Sequence, residues 1–298
     1  VLSSGTSFSA GSQTGTVTIG GAVNATNIRT ASTAFQLKIG QTVASATSNI
    51  GANLALTNTG GFVLGTSTNP HTLSITGAFS TAATGTASLS GAVTTTTTQT
   101  YGAAVVLTGD TTFTSSSNGN IGFNSTVDGT TANTEVLTVA AGTGNTTFTG
   151  AVGSTTALKN IAVTTAVLTA AAVKADTAIT VTNSGTSTIT GIIAGGGSLT
   201  KAGSGTLTIS GANTYAGSTT ITLGTLKLGA AGVIPDASAI SITGTLDLNG
   251  YSETVGSIAG AGTITSGAAG TITLTAGGND STTTFSGTFS KGSATSLA

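Results

Sequence analysis

One short pattern recurs from Ile75 to Phe289 and constrains this chain more than any other feature. An apolar residue, a Ser or Thr, a Gly, a small residue and a fifth residue appear as Ile75–Phe79, Leu89–Val93, Phe148–Val152, Ile189–Ile193, Ile209–Asn213, Ile242–Leu246 and Phe285–Phe289. Gly91, Gly150, Gly191 and Gly211 follow one another at close to three, two and one units of about 20. The step from Gly244 to Gly287 is again near two units, while Gly77 to Gly91 and Gly211 to Gly244 do not fit. A period of about 20 is what one coil of a parallel β-helix takes in sequence.

The segments between these signatures read as strands. Thr16–Ile19, Phe35–Ile39, Thr206–Ile209, Thr225–Leu228 and Thr271–Thr275 place apolar residues at every second position, the pattern of a half-buried strand with a hydroxyl-rich outer face. Gly, Asn-Gly or Gly-Gly closes nearly every run. The nearest approach to a helix is Leu168–Ala175, which its Thr and Val neighbours pull back toward strand.

Composition selects among β architectures. With no Trp or Met, three Tyr and nine Phe in 298 residues, a thick globular core is out of reach. A solenoid needs only a narrow column of Val, Ile, Leu and Ala inside each coil. Disorder is excluded by 38% apolar residues and a net charge of −1. The longest apolar run, Ala103–Leu107, falls far short of the roughly 20 residues of a membrane helix. The expected fold is therefore all-β, a parallel β-helix (β-solenoid) of about 20 residues per coil. Roughly fifteen coils at ~4.8 Å each make a rod on the order of 70 Å long.

At Gly197 the chain resembles a known family. Leu199-Thr200-Lys201, Gly205-Thr206-Leu207, Gly211-Ala212-Asn213-Thr214-Tyr215 and Gly224-Thr225-Leu226 resemble the autotransporter-associated β-strand repeat. Gly244–Tyr251 and Val255–Gly262 continue in the same manner. Thr98–Tyr101, Asp110–Phe113, Phe148–Gly153 and Thr156–Leu158 more loosely resemble large haemagglutinin-type repeat proteins. The resemblance implies a right-handed parallel β-helix, a secreted or surface-displayed passenger that serves as stalk, adhesin or aggregation factor. The expected organisation is one continuous solenoid over 1–298: unassigned β coils in 1–90, haemagglutinin-like repeats in 91–190, the autotransporter-associated repeat in 191–265 and terminal coils in 266–298. The family's translocating barrel is not found here. The opening Val1-Leu2-Ser3-Ser4-Gly5 has neither an initiator Met nor a signal-like region, which reads as processing or excision.

Candidate chemistry is sparse. His71, the single histidine, follows Asn69-Pro70 and reads as a structural turn residue. With one His, no Cys and eight scattered carboxylates, neither a metal site, a cofactor nor a catalytic set is expected. The enzyme alternative is polysaccharide cleavage by Asp236 and Asp247 with Lys227. Roughly half a coil apart, the two carboxylates fall on different faces, and Asp247, between Leu246 and Leu248, points outward. Sugar platforms would have to come from Tyr101, Tyr215 or Tyr251, two of which sit in repeat motifs as packing residues. Seven basic residues spread from Arg29 to Lys291 make no stripe for nucleic acid. Thr206/Thr208 and Thr271/Thr273/Thr275 suggest an ice-binding hydroxyl face as a further alternative. Asn24, Asn124, Asn145 and Asn279 stand in glycan sequons.

The leading expectation is a non-catalytic structural or adhesive protein, extracellular or cell-surface, whose partners are further copies of itself or cell-surface glycans. Residues 1–12 carry no charge or proline, and only 15 charged residues guard the surface, so coil edges are expected to associate.

Overall fold

The computed structural model describes residues 7–10, 15–25, 27–30, 34–42 and 46–298. The expectations that rest on Val1–Gly5, and most of those on residues 1–12, lie outside the described residues. Every regular element described is a strand, and no helix is long and apolar enough to cross a membrane. The pairings are parallel, and partners lie one coil apart, as in Phe35↔Gly15 and Thr206↔Thr225. The fold is a parallel β-solenoid of about 13 turns. A uniform period would give the larger number expected from the sequence, but several coils are longer than the rest, as Leu54↔Phe79 and Thr111↔Leu137 show.

The chain divides into two compact units, Val1–Lys159 and Asn160–Ala298. In the first, each coil visits three faces. Face I holds strands such as Phe79–Thr81, Gln99–Tyr101, Ile121–Phe123 and Thr146–Phe148. Face II holds Phe35–Ile39 and Phe62–Leu64, and face III Thr47–Ile50 and His71–Ile75. Two strands cover faces II and III without a break: Ala87–Thr95 and Val105–Ser115. Between them the register shifts at Leu89/Gly91. Gly91 takes the bend at φ +114°, where a Cβ would collide with the backbone of His71 one coil away. Glycine is required there on both counts.

The five-residue signature marks these bends, and the structure explains the two steps that broke its period. Ile75–Phe79, Ile242–Leu246 and Phe285–Phe289 sit at the corner entering face I; Phe148–Val152, Ile189–Ile193 and Ile209–Asn213 at the corner leaving it; Leu89–Val93 at the II/III bend. In five of the seven copies a buried apolar residue stands on each side of the corner; Asn213 ends the copy from Ile209, and Phe289 is exposed. The step from Gly77 to Gly91, and that from Gly211 to Gly244, each compare two different corners, as does Gly91 to Gly150, whose near-fit to three units is therefore fortuitous.

Alternation sets the core as expected. Phe35, Leu37 and Ile39 are fully buried while Gln36 and Lys38 face out, and Leu207/Ile209 and Leu226/Leu228 repeat the pattern. Leu168–Ala170 is strand, not helix. The run expected over 271–275 is instead two strands, because Thr271–Ile272 pairs with Ser296–Leu297 and Leu274–Ala276 with Glu253–Val255. Asn118, Asn133 and Asn249 occupy positive-φ corners, where the short amide tolerates the left-handed region.

Within the first unit the core carries an aromatic column among buried Leu, Ile and Val. Tyr101, Phe123 and Phe148 are register partners, their rings stacked at 5.0 and 4.9 Å within 10° of parallel. Phe79 and Phe113 meet the Tyr101 ring edge-on at 5.4 and 5.0 Å. Identical strand positions one coil apart place flat rings at near stacking distance, so the ladder spacing itself makes the column. The second unit has no such column. From Thr169↔Thr188 through Glu253↔Leu274 its register partners keep a nearly constant spacing along the chain, and its interior is Leu, Ile and Val with buried polar groups at the corners.

Candidate functional site

The corner entering face I is the first place where side-chain chemistry repeats. The strand that reaches it carries an inward polar residue at or next to its end, beside the carbonyls of the corner. A donor side chain meets them: Thr95 Oγ1 and Ser115 Oγ each donate to Thr97 O at 2.8 Å in the first unit. In the second, Asn183 Nδ2 donates to Gly185 O and Thr206 O at 2.7 and 2.8 Å. One coil on, Lys201 Nζ donates to Ala202 O and Gly203 O at 2.7 Å and Leu223 O at 3.2 Å. Lys201 is wholly buried, and burial pushes its pKa down to about 8. Its three N–H groups meet three carbonyls, so the ammonium is a structural plug. Sequence reading used Lys201 only as part of a motif. The missed signal was its phase, since it alternates with Thr200 on the same inward side as Leu199.

Two clefts hold carboxylates. In the first unit a cleft of about 230 Å³ is lined by Ser67, Thr108, Thr130, Thr131, Thr134 and Glu135. Glu135 Oε1 accepts the Thr130 hydroxyl at 2.7 Å and the N–H groups of Thr130 and Thr131 at 3.3 and 3.1 Å. Burial alone would push this carboxyl up, but those hydrogen bonds outweigh it and hold the pKa below the usual value. Glu135 thus folds the Thr130–Thr134 loop around itself.

In the second unit a cleft of about 260 Å³ is lined by Asp236, Ser252, Glu253, Thr254, Thr273 and Thr275. Glu253 is only 3% exposed. Its Oε2 accepts the Val233 N–H at 3.0 Å, and its Oε1 the Thr254 N–H at 3.3 Å. Burial pushes its pKa up to about 7, against these hydrogen bonds and with a further push from the charge on Asp236. Asn213 does the same work one step earlier, accepting from Ile193 N at 2.7 Å and donating to Val233 O at 2.7 Å. Positions 193, 213, 233 and 253 thus form a ladder in which side chains replace missing backbone partners.

The carboxylates singled out in the sequence are not brought together. Asp236 shares its cleft with Glu253, while Asp247 lies on face I beside Lys227, its register partner, at 3.9 Å. Asp247 projects from the outer side of its strand, yet is only 9% exposed. The turn at Gly267 lies over it, and its Oδ1 accepts the N–H groups of Gly267 at 2.6 Å and Asn249 at 2.9 Å. Asp247 points outward as read, yet it is covered and caps two turns. His71 departs from its reading. It opens the strand His71–Ile75 rather than sitting in the turn, and is 1% exposed. Tyr101 and Tyr215 are buried, so of the three tyrosines Tyr251 alone, 37% exposed, faces solvent. Among the described residues no three His, Cys, Asp or Glu side chains gather as a metal cluster.

Face I of the second unit carries an ordered outer surface. Thr186, Thr206, Thr225, Thr245, Thr263 and Thr288 are successive register partners, one threonine per coil. The column beside it reads Thr188, Thr208, Lys227, Asp247 and Thr265. The paired-threonine lattice suggested by Thr206/Thr208 therefore exists in register, but an ion pair replaces its second hydroxyl in two consecutive coils.

Residues 199–228 match the passenger-associated-transport-repeat family, so the autotransporter-type passenger repeat expected from Gly197 is present. The chain is also 37% identical over 117 residues to the adhesin BmaC autotransporter of Brucella suis biovar 1 (strain 1330). That match covers 37% of this chain and 3% of the relative. No solved structure matches the chain.

Proposed function

We propose that this chain is a segment of a non-catalytic adhesive passenger, displayed outside the cell or on its surface. The observation that carries this reading is the passenger repeat at 199–228 together with a relative named as an adhesin. The ordered threonine column supports it physically, because a straight row of hydroxyls on a rigid sheet offers many weak polar contacts to a glycan-covered surface. The scattered carboxylates support the non-catalytic part: Asp236 and Asp247 lie apart, and Glu253 is spent on backbone N–H groups. Association of copies through coil edges and flat faces belongs to the same reading.

The test is attachment of beads coated with the purified chain to cell monolayers and glycan arrays, beside beads carrying an unrelated β-solenoid of similar charge. Saturable attachment above that control is expected, with no hydrolysis of pectin, glycans or peptides. Attachment no better than the control, or turnover abolished by Asp236→Asn, would sink the proposal. The threonine column also favours ice binding as a second reading. Thermal hysteresis of the purified chain is its measurement, and none is expected with Lys227 and Asp247 in the lattice.

A further inference from the structure

Among the described residues up to Thr95, His71 is the titratable side chain that lies buried, and its surroundings accept one proton but not two. Three successive coils meet at this point of face III. Ser48 Oγ accepts the N–H of Val23 at 2.9 Å and lies 2.8 Å from Nε2 of His71. Ser48 is 0% and His71 1% exposed, and Nδ1 has no hydrogen-bond partner. That face of the ring lies against Gly40, at φ +73°, where a Cβ would collide with it. The neutral imidazole fits as the Nε2–H tautomer, which donates to the serine and leaves Nδ1 without a proton to place. The imidazolium has two N–H groups and one acceptor within reach.

No neighbouring charge offsets this. The strands Thr47–Ile50, Phe62–Leu64 and Ala87–Thr95, which pack against His71–Ile75, carry no titratable side chain. The preceding turn, Gly65–Pro70, carries none either. Phe35–Ile39 carries only Lys38, which alternates with the buried Leu37 and Ile39 and so faces outward.

We propose that His71 is an acid-sensitive pin: taking up a second proton releases the coils that Ser48 and His71 join. A buried N–H without a partner shifts an opening equilibrium by roughly tenfold or more. Burial holds the pKa of His71 below its usual 6.5. The unfolded chain therefore binds more protons as pH falls, and the pin's contribution, whole above 6.5, is lost through the lowered value.

Hydrogen exchange of the full chain at pH 7.5 and 5.0, each rate normalised to chemical exchange, tests this. Peptides over 46–50 and 71–75 are expected to lose roughly tenfold protection at pH 5.0. In His71→Gln, whose amide can still donate to Ser48, protection is expected to be equal at both pH values. Should that variant not fold, the imidazole proton resonances of the single histidine supply the answer in the native chain. A midpoint below 6.5 with parallel loss of protection supports the pin. The same acid response in His71→Gln, or a histidine that titrates while both peptides stay protected, overturns it.

Discussion

The two units solve the same problem with different materials. In the first, coils of irregular length enclose an aromatic column, with Tyr101 between Phe79 and Phe123. In the second, coils that keep a near-constant length from Thr169 to Leu274 carry no ring stack, and buried polar groups such as Asn183, Lys201, Asn213 and Glu253 tie one coil to the next. A stacked ring packs against whatever lies one coil above, so coils around the column can lengthen at a corner without losing contact. A buried amide or ammonium must find particular carbonyls at hydrogen-bond distance, as Asn58 Nδ2 also does on Phe35 O at 3.1 Å in the first unit. The first unit adds such ties to its rings; the second relies on them in place of rings.

The contrast is broken most severely from inside the columns. Phe123→Ala removes a ring that stacks on both neighbours and is expected to cost about 3–5 kcal/mol. Lys201→Ala leaves three turn carbonyls without their donor, for about 2–4 kcal/mol. Denaturant unfolding with hydrogen exchange resolved by unit checks both. Phe123→Ala is expected to loosen the first unit and Lys201→Ala the second; equal loosening of both units by either change would dissolve the comparison.

Acid sharpens it. The folded pKa of Glu253, about 7, lies above its ordinary 4.5, so the folded state holds a proton that the unfolded chain releases between those values. That contribution is full below pH 4.5 and lost as pH rises through 7, a swing on the order of 1–3 kcal/mol. The second unit is therefore expected to gain stability on acidification while the coils around His71 lose it. Urea midpoints at pH 5 and 7.5, with Glu253→Gln as the pH-insensitive reference, decide the sign.

The smallest effect comes from the outer face. Lys227 is 36% exposed and its ion pair spans 3.9 Å, so Lys227→Ala is expected to change stability by less than about 0.5 kcal/mol. Asp247→Ala also strips the caps from Asn249 and Gly267 and should cost about 1 kcal/mol. Thermal unfolding of the two variants side by side separates the caps from the pair, and equal losses would assign the whole effect to the ion pair.

Alternation and turn chemistry alone determined a great deal. Phe35–Ile39, Thr206–Ile209 and Thr225–Leu228 are strands with the bounds read from the sequence, because period-two burial is a local property of an extended chain. The corner signature was legible for the same reason, though which corner each copy occupies was not. What only the tertiary structure decided is the fate of side chains whose neighbours lie a whole coil away along the chain. Asp247 is outward by alternation yet covered, because the Gly267 turn of the next coil closes over it. His71 reads as a turn residue until Ser48, from the preceding coil, gives it a partner in the core. Tyr101, Phe123 and Phe148 become a column only when coils of unequal length bring them into register. Local sequence sets which way a side chain points from its own strand; coil length and corner shape set what it meets there, and neither is encoded within the strand itself.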